Sequence, residues 1–160
     1  MKKTALFIVL LVCAMANPAF GSEEILNVMP SGKYLLVTDF GATPNDEIDD
    51  TEAIQKAVDA AFNGKIKAVV FPEGTYLASS VNIGYGMSLW GYGATIKMLP
   101  NQDRFSRIFN TEKNNYSYTG LKNSSWLVIK GLTFDGDRLH QGDHKDYELE
   151  HQAMIFLTAE

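Results

Sequence analysis

Residues 38–62 read T-D-F-G-A-T-P-N-D-E-I-D-D-T-E-A-I-Q-K-A-V-D-A-A-F, and this stretch decides the fold. A short strand runs into a turn at Gly41, and an acidic loop then opens a single amphipathic helix. Asp49 is the expected N-cap, its carboxylate accepting from backbone N–H groups of the first turn. Glu52 stands three residues on, the spacing of a capping box. Asp46, Glu47 and Asp50 add negative charge where the helix dipole is positive. Ala53, Ile54, Ala57, Val58, Ala61 and Phe62 recur on one face of a 3.6-residue period. Asn63-Gly64 supplies a left-handed stop. The competing reading of Asp46, Asp49 and Asp50 is a Ca²⁺ loop, but the spacing lacks the Gly and distal Glu of an EF-hand. Asp49, Asp50 and Glu52 are therefore read as capping residues, and no metal ligands are assigned.

What precedes this stretch reads as an address. Lys2-Lys3 leads into an apolar run from Ala5 to Ala16, closed by Pro18-Ala19-Phe20-Gly21. A basic start, an apolar middle and small residues at Ala19 and Gly21 form a signal-peptide pattern. The run is too short to span a bilayer comfortably, so export is expected rather than membrane anchoring. Cys13 lies inside that run without the preceding small residue of a lipidation site. Residues 1–21 are thus expected to be a signal peptide and 22–160 the mature domain, secreted or periplasmic. The chain carries 14 Lys and Arg against 19 Asp and Glu, a net charge of −5. Losing Lys2 and Lys3 makes it more acidic, which disfavours general binding to nucleic acid or anionic membrane. The mature part has no cysteine, hence neither disulfides nor thiol chemistry.

Beyond Gly64 the period changes. Residues 67–71 (K-A-V-V-F), 75–77, 81–83, 87–90, 94–98, 126–130, 132–134 and 153–157 are short apolar or alternating runs, separated by Gly, Asn, Ser and Pro. The spacing from Val69 to Leu89 is close to one turn of a stacked solenoid. Leu89 to Val128 fits a longer coil with an insertion at 102–125, and Val128 to Ile155 another with an insertion at 137–152. Such offsets, with insertions on one side, are how stacked repeats look in sequence. Val69, Phe71, Leu77, Val81, Ile83, Leu89, Ile96, Leu127, Ile129, Leu132 and Phe134 are expected to stack inward. The helix then becomes a lid, with Ile54, Val58 and Phe62 covering the first coil's apolar cross-section.

V-T-D-F-G-A, I-D-D-T-E-A-I-Q-K-A-V-D-A-A, V-V-F-P-E-G-T-Y-L, L-W-G-Y-G-A-T-I-K and G-L-T-F-D-G occur in that order. This series resembles the N-terminal part of the pectate lyase superfamily, in the branch near polygalacturonases and rhamnogalacturonase or epimerase-like proteins. The resemblance runs from Val37 to Gly136 and more loosely to Leu157. It implies an all-β fold, a right-handed parallel β-helix with one N-terminal capping helix, truncated at its C-terminal side. It also implies a polysaccharide or glycan as partner. In that family, hydrolases pair carboxylates about 6.5–9.5 Å apart when they invert, and lyases add Ca²⁺ and a basic residue. Those groups project from coils beyond the F-D-G motif. N-T-D, G-H-G and R-I-K segments are all absent from this sequence, so no catalytic position carries over.

The local candidates come from the residues themselves. Asp135 and Asp137 stand two apart and would share a face on a strand, although Gly136 favours a turn that Asp135 would cap. His140 and His144 have the i, i+4 spacing of a helical metal pair, with Gly142 between them. The plain alternative is a solvated, charge-rich insertion. Tyr85, Trp90 and Tyr92 cluster near one set of turns, with Tyr116 and Tyr118 in the long insertion, and such rings either stack on sugars or pack insertions against coils. Asp135 and Asp137 are thus the catalytic candidates, and Trp90, Tyr92, His140 and His144 the substrate-binding ones. Two function classes follow: the N-terminal part of a secreted enzyme cleaving uronate-containing polysaccharide, by hydrolysis or elimination, or a non-catalytic glycan-binding and adhesion module of the tailspike kind.

Overall fold

The computed structural model describes residues 32–103, 106–111, 126–141 and 153–157. The signal-peptide stretch, His144, Tyr116 and Tyr118 lie outside these described residues. The elements are β1 (Leu35–Leu36), β2 (Ala68–Val70), β3 (Gly74–Ala78), β4 (Val81–Asn82), β5 (Met87–Met98), β6 (Arg107–Asn110), β7 (Leu127–Asp135) and β8 (Ala153–Phe156). Among the described residues one α-helix, α1 (Thr51–Asn63), stands with these strands, together with 3₁₀ turns at Val37–Phe40 and Arg138–His140.

The strands pair in parallel throughout. One sheet stacks β1, β2, β5 and β7, with β3 also on β5, and a second runs β4, β6, β8. Parallel neighbours cannot be joined by a hairpin, so each connection must cross over. Here the crossover from β2 back to β5 is built of the strands β3 and β4. Like residues then stack over like. Val69 pairs Leu89, which pairs Ile129, while Tyr76 pairs Ile96, which pairs Phe134. Phe109 lies edge-on to Phe134 at 5.5 Å and tilted to Phe71 at 6.3 Å, joining the two sheets through one aromatic core.

Several expected positions shift, each for a physical reason. Tyr76 and Ala78 point inward in β3, leaving Leu77 on the outer, half-buried side. Tyr76 fills more apolar volume than Leu77 would, and its hydroxyl donates to the Pro72 carbonyl at 3.0 Å, so its polar tip is satisfied inside. Leu89 pairs with Ile129 and not Val128, which is 39% exposed. A one-residue slip in register exchanges the two faces of a strand. The offset from Val128 to Ile155 compares two different sheets, because Ile155 pairs with Phe109. The strand β6 falls inside the segment read as an insertion, and β1 lies upstream of the runs recognised. Leu127, Ile129, Leu132 and Phe134 are partly buried against the core.

The helix packs as expected, but its caps do not. Ile54, Ala57, Val58 and Ala61 are fully buried, and Phe62 lies against Gly84, where a Cβ would come within 2.5 Å of its ring. Burial of side chains such as Ile54 and Val58 stabilises by about 1.5–3 kcal/mol each. The N-cap position belongs to Asp50, one residue later than expected, and its side chain makes no cap hydrogen bond. Asp49 accepts instead from Thr51 N at 2.8 Å. Glu52 pairs with Lys56 at 2.6 Å, as i, i+4 partners on an exposed face do, so there is no capping box. Gly64 is extended (φ −90°, ψ −174°), and the helix ends without a left-handed residue.

The acids and amides of this segment serve the sheet. Asp50 accepts from Thr43 N at 2.8 Å and from Leu77 N at 3.3 Å. Asn45 exchanges two bonds with Thr75, Thr51 Oγ1 accepts from Ser79 N, and Gln55 takes both backbone groups of Asn82. Residues 45–55 therefore satisfy the open edge of β3 and β4, whose backbone groups would otherwise template another strand.

Candidate functional site

Alternation along β5 sends Met87, Leu89, Ala94, Ile96 and Met98 inward and Ser88, Trp90, Tyr92, Thr95 and Lys97 outward. The outward rows continue in register: Thr75, Thr95 and Thr133 form one, and Leu77, Lys97 and Asp135 the next. A register shift separates the two halves of this face. Three residues of β5 (Gly91, Tyr92, Gly93) stand where β7 has only Gly131. Gly131 is left-handed (φ +73°), and a Cβ there would fall 2.7 Å from the Gly91 carbonyl oxygen and 3.1 Å from the Tyr92 ring. No other residue type allows so close an approach.

Trp90 and Tyr92 both face outward and pack on the next coil. The Lys130 ammonium lies 5.2 Å from the Trp90 ring centroid, within cation–π range. Tyr92 covers Gly131. Trp126, preceding β7, is the more open ring at 49% exposure, and together with Val128 it stands out on this side.

The polar cluster lies at the end of β7. Asp135 and Asp137 do not share a strand face, because the strand stops at Asp135 and Asp137 is left-handed (φ +46°, ψ +44°). Asp135 Oδ1 accepts from Asp137 N at 2.9 Å and so closes the turn. Asp137 Oδ1 in turn meets His140 Nδ1 at 2.6 Å and Lys97 Nζ at 3.3 Å. Burial pushes the Asp137 carboxyl up, but hydrogen bonds and charge from His140 and Lys97 outweigh it and hold the group below the usual aspartate range. Asp137 is therefore an ionised acceptor and not a proton-donating acid. His140 Nδ1 is committed to it, leaving Nε2 as the ring's free end, with the side chain 63% exposed.

The platform beneath this cluster is rigid. Gln141 is fully buried; its Nε2 donates to the carbonyls of Leu99 and Gly136, and its Oε1 accepts from Gln102 N. Asn101 N donates to the His140 carbonyl at 2.9 Å. Lys97 and Gln141 were not among the sequence-derived candidates. Lys97 reaches Asp137 only through the stacking of β5 on β7, which no local motif reports. Gln141 sits in a charge-rich run with no mark distinguishing it from a solvated glutamine.

A family model described as rhamnogalacturonase A/epimerase, pectate lyase-like matches residues 30–154. The chain belongs to this family. No curated protein matches it. Among solved structures, a surface adhesin of Streptococcus pneumoniae is similar at 28% identity and a TM-score of 0.56, covering 77% of this chain and 32% of the adhesin. The A-module of an Azotobacter vinelandii mannuronan C-5 epimerase, AlgE6, is similar at 21% identity and a TM-score of 0.58, covering 79% and 33% respectively. The latter likeness concerns the fold alone. The chain spans about a third of the length of both structures.

Membership of this family raises the matter of Ca²⁺. Among the described residues no three carboxylate or imidazole groups converge to hold an ion. Asp135 and Asp137 each spend an oxygen within the turn, and Asp50 spends both on backbone N–H groups. The described coils therefore do not fit a Ca²⁺ site. No helix among the described residues is long and apolar enough to cross a membrane.

Proposed function

We propose that this chain is the N-terminal portion of a longer, exported polysaccharide-active protein, a right-handed parallel β-helix that cleaves glycosidic bonds in uronate-containing polysaccharide. Residues 1–21 are its signal peptide, and 22–160 supply the cap and first coils of a solenoid continued by further coils. The observation that carries this reading is the family match over residues 30–154, on a chain spanning a third of its structural neighbours. The outward face of β5 and β7, with its threonine row and the Lys97–Asp137–His140 cluster, offers hydroxyl and charged groups of the kind that line a sugar groove.

A second reading has a specific observation behind it. The 28% identity to a pneumococcal surface adhesin favours a glycan-binding module without catalysis. One experiment separates the two. The full-length protein is incubated with pectate, rhamnogalacturonan and alginate, and new reducing ends and unsaturated uronate ends are measured. Either product supports the enzyme; retention on the immobilised polysaccharide with neither product supports the adhesin.

A further inference from the structure

We propose that Asn63-Gly64, where α1 hands the chain on to β2, is a self-modifying site: the Gly64 backbone nitrogen displaces the Asn63 side-chain amide, and the aspartate or isoaspartate that results loosens the lid. Of all the asparagines in the sequence, Asn63 alone is followed by glycine. Gly64 has no side chain to shield its nitrogen, and a Cβ there would collide with the Ala60 carbonyl oxygen at 2.5 Å. Both residues are exposed. Two bonds of the last helical turn hold the reacting groups apart: Gly64 N donates to the Ala60 carbonyl and Asn63 Nδ2 to the Asp59 carbonyl, each at 2.9 Å. Ring closure needs an extended Asn63, so the reaction starts when this turn frays, which is among the least costly openings of a fold. Lys65 is exposed beside the site, and Lys67 Nζ holds the Phe62 carbonyl at 2.6 Å. Their positive charge favours loss of the Gly64 amide proton.

The atoms balance with water as the sole co-reactant. The Gly64 N–H gives its proton to solvent, the N–Cγ bond forms, and the Cγ–Nδ2 bond breaks as ammonia leaves with a proton taken back from solvent. Water then opens the cyclic imide. Attack at Cγ restores the main chain with aspartate at 63, and attack at the main-chain carbonyl carbon routes the chain through the side chain as isoaspartate. Nothing is oxidised or reduced. Both products act against the lid. A carboxylate at the end of α1 opposes the helix dipole and stands four residues from Asp59 as a like charge. It also sets oxygen against the Asp59 carbonyl, where an N–H₂ had donated. Asp59 Oδ1 accepts from the same Gln55 Nε2 that donates to Asn82 O, so the disturbance runs from the helix end to the edge of β4. Isoaspartate adds a main-chain carbon between Phe62, seated on Gly84, and β2.

The test ages the full-length protein in mildly alkaline H₂¹⁸O, beside a free peptide of residues 59–67, and follows the Asn63 peptide by mass. Asn63 should exchange its NH₂ for labelled OH, with isoaspartate exceeding aspartate, at a rate within about 100-fold of the free peptide, as a frayed helix end allows. Asn63→Gln keeps the amide but lengthens the arm, and should stay unconverted at 63. The aged chain, and Asn63→Asp as the direct product, should exchange the Gly64 and Asn82 amides faster than the fresh protein, with the amides of β5 unchanged. An Asn63 that stays amidated in the folded chain, or converts more slowly than that limit, overturns the site. Conversion that leaves exchange at Asn82 untouched overturns its effect on the lid.

Discussion

Gln55 pairs with Asn82 as a strand residue would: its Oε1 accepts from Asn82 N at 2.8 Å and its Nε2 donates to Asn82 O at 3.0 Å. A helix side chain thus closes the ladder at the edge of β4 with a two-point bond. Asn45 does the same for Thr75 with one backbone and one side-chain bond. Gln55→Ala leaves both groups of Asn82 without these partners and should cost about 1–3 kcal/mol. Gln55→Glu keeps the shape but sets a carboxylate oxygen against the Asn82 carbonyl, and should cost at least as much at neutral pH. Urea midpoints at constant m value check both.

The apolar side of the same lid has a different signature. Ile54→Asp places a charge at a fully buried position above the first coil, and Phe62→Asp removes the ring lying on Gly84. Each should expose the coil's cross-section and drive concentration-dependent association, measurable by light scattering. Double variants that stay monomeric would refute the role of α1 as a lid.

Much of this lid is legible in the sequence, because apolar residues at a helical period are a strong signal over thirteen residues. The destination of its polar residues is not. Asp49, Asp50 and Glu52 look like cap chemistry locally, and only the register of β3 shows that Asp50 bonds to Leu77, 27 positions away. The missed strand β6 has Ile108 and Phe109 both buried, so its four residues carry no alternation to detect. Tyr76 and Leu77 are both apolar enough to face inward, and the Pro72 carbonyl decides between them. In the candidate site, the i, i+3 pairing of Asp137 with His140 lies within one turn. Its third member, Lys97, depends on how three residues at 91–93 stack over the single Gly131.

Asp50 makes stability depend on acidity. Burial raises its pKa above the ordinary 3.8, the N–H groups of Thr43 and Leu77 partly oppose this, and the charges of Asp46 and Asp49 add to it. The folded chain therefore holds this proton to higher pH than the unfolded chain does. Stability contributed here is present at low pH and falls as pH rises through the interval above 3.8. Asp50→Asn removes that slope but turns an amide N–H₂ toward one of the two N–H donors. The variant should be less stable, with its deficit shrinking as pH rises across that interval in chemical denaturation.

Tyr76 works at the other end of the scale. Burial, aided by the charge of Asp50, raises its pKa to about 12. Between 10.0 and about 12 the unfolded chain has released this proton and the folded chain has not, so stability falls with rising pH across that window. Tyr76→Phe should lose about 0.5–1.5 kcal/mol at neutral pH with the bond to Pro72, and should show a shallower alkaline decline. Because Asp50 contributes to the shift, Asp50→Asn should also lower the Tyr76 pKa in a spectrophotometric titration.

Gln141 separates support from chemistry at the candidate site. Its amide joins Leu99, Gly136 and Gln102 from a fully buried position, immediately after His140. Gln141→Leu matches its bulk but leaves two carbonyls and one N–H without this partner, each costing about 1–3 kcal/mol where water cannot replace it. The turn should loosen, and hydrogen exchange at the Gln102 amide should accelerate while the amides of β2 and β3 stay protected. Unchanged exchange at Gln102 would show that the buried amide does not hold the turn.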